Sequence, residues 1–170
     1  MNKYTYLVGS KMLGLQNCHD EDWLTFIDEK SSIARESGCH SISFYKNIIR
    51  QFKEGQIIHF DYFKALFIYQ LSSGFFDDEG YIFKDFNILE HQVVWKKWLK
   101  AYVNSEAISN RILKDSRIQK WCYHLLYQYY MIKENTHRIS EEAMSEVQKI
   151  HDLEMPSSYF EELKALINSL

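Results

Sequence analysis

The sequence predicts an α+β fold, a small mixed sheet followed by an extended helical C-terminal half, on three observations. Short apolar and aromatic runs occupy residues 4–8, 22–28 and 39–44. From Tyr45 onward the apolar residues recur at helical spacing instead of alternating. The strand–helix–strand alternation of a doubly wound parallel sheet is absent, so strands come first and helices after.

Taken in order, residues 4–8 (YTYLV) are β-branched and aromatic and stop at Gly9, as a short buried strand does. Residues 9–15 read as a turn feeding a brief helix. Residues 22–28 (DWLTFID) alternate loosely and make a second strand, and residues 29–38 a polar loop or short helix. Residues 39–44 (CHSISF) alternate small polar and apolar side chains, the pattern of a third strand. Ile48, Ile49 and Phe52 repeat at helix spacing, and Gly55 is placed as a helix C-cap. Residues 60–71 form a second apolar helix, and residues 72–87, containing SSG and DDEG, a long loop. Helices are expected over 89–103 and over 108–133, the latter long or kinked. Ser140 is placed to cap a helix running to about Asp152, with Glu141 and Glu142 where the helix dipole favours them. Pro156 interrupts the chain, and Ser158 with Glu161 makes a capping box for the last helix. These elements group as a core over residues 1–71 and a helical region over 72–170 packed on it as one compact unit.

The 170 residues are 46% hydrophobic, 16% aromatic and 25% charged, which suits a chain with a packed core and not a disordered one. A formal net charge of −3 means that a nucleic-acid partner would need a local basic patch. Cys18, Cys39 and Cys122 are widely spaced, with no CxxC pair, which argues against a zinc site or a disulfide framework. The N-terminus MNKYTYLVGS lacks the apolar core of a signal peptide, and no run reaches the roughly 18 apolar residues of a membrane span. A cytoplasmic protein with no membrane partner is expected.

The stretch that carries chemistry is GSKMLGLQNCHDEDWLTFID, residues 9–28. A Gly-Ser after a strand offers backbone N–H groups and a hydroxyl to a phosphate, with no side chain in the way. Two carboxylates at i and i+2 of a strand, Asp20 and Asp22, point to one side. Beside a phosphate they can hold magnesium that bridges to it.

A strand, Gly-Ser, about ten residues, then D-x-D leading a strand resembles the nucleotidyltransferase superfamily that includes DNA polymerase β. Gly9, Ser10, Gly14 and Leu15 stand where its predicted bacterial and phage members carry a G-S-x-x-x-G-L start. Residues 55–63 (GQIIHFDYF) sit where that family has a glycine and an N-V-L-E-L-L-like helix, with Asp61 in the place of its glutamate. Residues 120–127 (KWCYHLLY) match its K-x-A-Y-H-L-L-R helix at Lys120, Tyr123, His124, Leu125 and Leu126, while Tyr127 replaces the arginine. The resemblance implies transfer of a nucleoside monophosphate from a nucleoside triphosphate to an RNA or protein acceptor. In that scheme Asp20 and Asp22 hold Mg2+, Gly9, Ser10 and Lys11 seat the triphosphate, and His124 contacts the nucleotide. The family's third metal carboxylate begins its third strand; here Cys39-His40-Ser41 stands there, so His40 takes the third catalytic place. Imidazole suits Mn2+ better than Mg2+, which makes Mn2+ the alternative cofactor. His19 replaces the serine that usually precedes the first aspartate, and the spacing from Ser10 is one residue shorter than usual.

The absent third carboxylate and arginine also suit a second class: a catalytically degenerate binding module, such as a phage-type inhibitor of host defence or nucleic-acid machinery. Apart from the resemblance, His124 reads as a packing histidine and residues 121–132 (WCYHLLYQYYMI) as core. Lys96, Lys97, Lys100, Arg111, Lys114, Arg117 and Lys120 read first as a solvated helix face and second as a landing surface for RNA.

Overall fold

The computed structural model describes residues 2–56, 82–106, 118–152 and 158–170. They divide into two compact units, Met1–Ile88 and Leu89–Leu170. The expected helix over 60–71, the 71/72 boundary, Asp61, Arg111, Lys114, Arg117 and Pro156 lie outside the described residues.

In the first unit, β1 (Lys3–Val8) pairs antiparallel with β2 (Asp22–Ile27), and β2 pairs parallel with β3 (His40–Ser41), giving a three-stranded mixed sheet of order β1-β2-β3. The register runs from Lys3 opposite Ile27 to Val8 opposite Asp22. It is pinned by side-chain alternation: Tyr6 and Val8 are buried while Lys3 and Thr5 face solvent. On the solvent face the Thr5 and Thr25 hydroxyls meet at 3.0 Å. Phe26, almost fully buried, is the hub of the core, edge-on to Tyr45 at 5.5 Å and to Phe83 at 5.2 Å between ring centroids.

After β1 comes the single turn α1 (Gly9–Met12), and after β2 the short α2 (Ser31–Glu36). The expected third strand over 39–44 is corrected: only His40 and Ser41 pair with β2, and α3 (Ile42–Lys53) begins at once. Ser41 is the reason. Its hydroxyl oxygen accepts from Phe44 N–H as an N-cap, at 3.4 Å, and donates to the Glu29 carbonyl at 2.6 Å. The apolar spacing Ile42, Tyr45, Ile48, Ile49, Phe52 already runs at helical period from Ile42, and all five are buried. Gly55 ends α3 as expected. Its φ of +77° is left-handed, and Gly55 N–H and Gln56 N–H bond back to Phe52 and Gln51 carbonyls, each at 3.0 Å, the Schellman pattern.

The second unit is helical. A 3₁₀ turn, Ile88–His91, straddles the division and leads into α4 (Gln92–Val103), followed by α5 (Ile118–Glu134), α6 (Glu141–Asp152) and α7 (Ser158–Asn168). Eight successive residues of α5, Trp121 to Gln128, are buried, so this helix is covered on every face, as its apolar composition requires. It packs on α6 and α7, and α4 packs on α7. Inside, Trp95 Nε1–H donates to Gln128 Oε1 at 3.0 Å, tying α4 to α5. At the rim, Lys100 Nζ donates to the Leu170 carbonyl at 2.7 Å, and Asn104 Nδ2 to Asn168 Oδ1 at 2.7 Å. Ser140 caps α6 as expected, its Oγ accepting from Ala143 N–H at 3.2 Å, while Glu134 accepts from the Ser140 N–H and hydroxyl. Among the described residues no helix is long and apolar enough to cross a membrane.

Candidate functional site

The antiparallel ladder ends at Val8 opposite Asp22, which sets the chain reversal after β1 against the first residue of β2. Gly9 is buried there with φ +78°, a conformation that residues with a Cβ adopt only at a cost. A methyl group on Gly9 would stand 2.7 Å from Asp22 Oδ2 and 3.4 Å from Asp22 Cβ. The Asp22 carboxylate therefore lies directly over a backbone position that carries no side chain. Leu13 N–H to Gly9 O at 3.2 Å and Leu15 N–H to Ser10 O at 3.1 Å hold the turn closed behind it. Gly9, Ser10 and Asp22 are thus brought together.

Asp20 is exposed and lies two residues ahead of β2, so the ladder does not fix its direction as it fixes that of Asp22. Between them Glu21 forms an ion pair with Lys11, which joins α1 to the entry of β2. Trp23 Nε1–H donates to the other Glu21 oxygen at 3.3 Å. Hydrogen bonding from Lys11, its charge, and the indole N–H together hold the Glu21 carboxyl below the usual range. Trp23 is 55% exposed beside this cluster. Glu21 and Trp23 are absent from the set read in the sequence. A third acid inside D-x-D, followed by a large aromatic, is the signal that marks them.

His40 is not brought to Asp22. It pairs with Phe26, four residues further along β2, or about 13 Å at strand rise. Its ring packs against Phe26 at 5.6 Å and Tyr45 at 5.5 Å, and Nδ1 stands 3.3 Å from the Tyr45 hydroxyl. Burial pushes the His40 pKa below the ordinary imidazole value and the Tyr45 phenol up to about 12, so both are neutral near pH 7. His124 belongs to the second unit, 3% exposed in α5 with its ring 4.4 Å from that of Tyr123. Lys96, Lys100 and Lys120 are half-buried and Lys97 is exposed.

Among the described residues no three His, Cys, Asp or Glu side chains are grouped closely enough to hold a metal ion. The Asp22 carboxylate at the β1–α1 turn is nevertheless a hard oxygen donor of the kind magnesium takes, with the side-chain-free Gly9 next to it. No family model, no curated protein and no solved structure matches the chain.

Proposed function

We propose that the first unit is a nucleotidyltransferase of the DNA polymerase β type, its small mixed sheet of that family's kind. In this reading it moves a nucleoside monophosphate from a triphosphate to an RNA or protein acceptor. The observation that carries the reading is the Asp22 carboxylate seated over Gly9, at a turn that opens with Gly-Ser. A phosphate can reach the backbone N–H groups only where no Cβ stands in the way, and a carboxylate at the same spot is what couples that phosphate to a cation. Asp20 and Asp22 would hold magnesium, which neutralises phosphate charge when bound. Ser10 offers a hydroxyl to the triphosphate. Lys11, held by Glu21, is a cation already positioned at the same turn.

Calorimetric titration of each nucleoside triphosphate, with and without magnesium, tests the nucleotide site. Binding that needs magnesium and is lost in Asp22→Ala and Asp20→Ala is the expected result. Equal affinities in wild type and both variants would remove the site. The second reading, a degenerate module that binds without transferring, is favoured by one observation: His40, at the family's third metal position, lies at the other end of β2 from Asp22. Radiolabel transfer from triphosphates into RNA or protein, with Mg2+ or Mn2+, separates the two. Label transfer supports the enzyme, and magnesium-dependent binding without transfer supports the module.

A further inference from the structure

The face of α3 turned toward residues 82–86 carries a second feature, independent of the Asp20–Asp22 turn. Lys46, Arg50 and Lys53 stand at i, i+4 and i+7, all exposed, along the rim of a cavity of about 330 Å³. Ile49 of the same helix and Phe83, both buried, are apolar side chains of its lining, and among the described residues Asp85 is the one carboxylate there. This is a local excess of positive charge on a chain whose formal net charge is −3.

The three cations are not equivalent. Arg50 is occupied: its guanidinium donates to both Glu54 oxygens, at 2.9 and 3.0 Å, and to Asn47 Oδ1 at 2.8 Å. Lys53 Nζ sits 5.8 Å from the centroid of the Phe86 ring, which holds the ammonium at the rim without neutralising it. Among the described residues neither Lys46 nor Lys53 is ion-paired. They stand about 10.5 Å apart along the helix axis, a span that two four-carbon stems can close on one anion. The volume falls at the lower end of the range for small-molecule pockets, about 300–1,000 Å³.

We propose that this cavity binds a phosphate monoester carried on an aromatic body. The phosphate lies between the Lys46 and Lys53 ammonium groups, and the ring lies against Ile49 and Phe83. A monoester carries roughly −1.5 to −2 charge near neutral pH, which answers two ammonium groups where a monocarboxylate answers one. Asp85 is left to accept a hydrogen bond from an amino or hydroxyl group on the body.

The test is titration of isotope-labelled full-length protein, followed by amide chemical shifts, with phenyl phosphate, AMP, inorganic phosphate and benzoate. Chelator is present throughout, so that the magnesium-dependent reading above plays no part. Phenyl phosphate or AMP should bind about tenfold tighter than inorganic phosphate and benzoate, with shifts at Ile49, Phe83 and Phe86. The tighter of the two names the body as a single ring or a nucleotide. Lys46→Ala and Lys53→Ala, exposed positions that leave the fold intact, should each weaken that binding about five- to tenfold. Equal binding of inorganic phosphate removes the ring pocket, and equal binding of benzoate removes the phosphate. Unchanged affinity in both lysine variants, or shifts confined to Gly9, Ser10 and Asp22, overturns the proposal.

Discussion

Replacing Gly9 by alanine separates two costs that meet at this residue. The first is conformational: a left-handed backbone costs an L-residue about 1–2 kcal/mol. The reduced freedom of the unfolded alanine chain offsets about 0.4–1 kcal/mol of that. Gly55 measures this cost alone, because its φ of +77° is nearly that of Gly9 at +78° and a methyl there meets nothing within 4 Å among the described residues. Gly55→Ala should therefore lose about 1 kcal/mol. At Gly9 the methyl also falls 2.7 Å from Asp22 Oδ2 and 3.4 Å from its Cβ. The Cβ stands at ordinary contact distance, so the added cost, about 1 kcal/mol of overpacking, comes from displacing the carboxylate from its seat. Gly9→Ala should lose about 2 kcal/mol, and Asp22→Ala in the same chain should recover about half. Urea unfolding followed by fluorescence reads this out, because Trp23 is the only tryptophan in the first unit. Equal losses at the two glycines, or a coupling between positions 9 and 22 below about 0.3 kcal/mol, would refute the seating of the carboxylate over Gly9.

Three further outcomes are expected. Ser41→Ala should cost about 1–2 kcal/mol, because it removes the cap of α3 and the hydroxyl that bonds the Glu29 carbonyl; a loss under about 0.3 kcal/mol in urea melts would refute the cap. Trp95→Phe should cost about 1–3 kcal/mol by leaving Gln128 Oε1 buried without its indole donor, and Gln128→Leu in the same chain should recover part of the loss, as a double-mutant cycle in urea would show. Burial depresses the folded pKa of His40, so below about pH 6.5 the unfolded chain takes up a proton that the fold resists. That contribution is fully present above the unfolded pKa and declines as pH falls toward the folded one. His40→Gln should flatten this fall in urea melts of the first unit between about pH 7 and 5, and an unchanged slope would refute the assignment.

Much of the local architecture was legible because it is written in short-range rules. The strand before Gly9, the second strand, the glycine that closes α3 and the serine that caps α6 each depend on a few neighbouring residues. The third strand was misread because CHSISF satisfies strand alternation and a helix start equally well over six residues. What decides between them is the hydrogen bond from Ser41 to the Glu29 carbonyl, twelve positions away.

The candidate site divides in the same way. That Gly9, Ser10, Asp20 and Asp22 form one set is an expectation from residue type and spacing, and the burial of the aromatic helix around His124 follows from the same local pattern. That Asp22 lies over Gly9 depends on the register of β1 on β2, and the place of His40 depends on the parallel register of β3. The cavity under Lys46 and Lys53 needs residues 82–86 brought beside α3. By itself the sequence determined which residues can turn, cap and bury, because those preferences are local. Only the tertiary structure decided which distant groups meet, because register and packing are settled by the whole core at once.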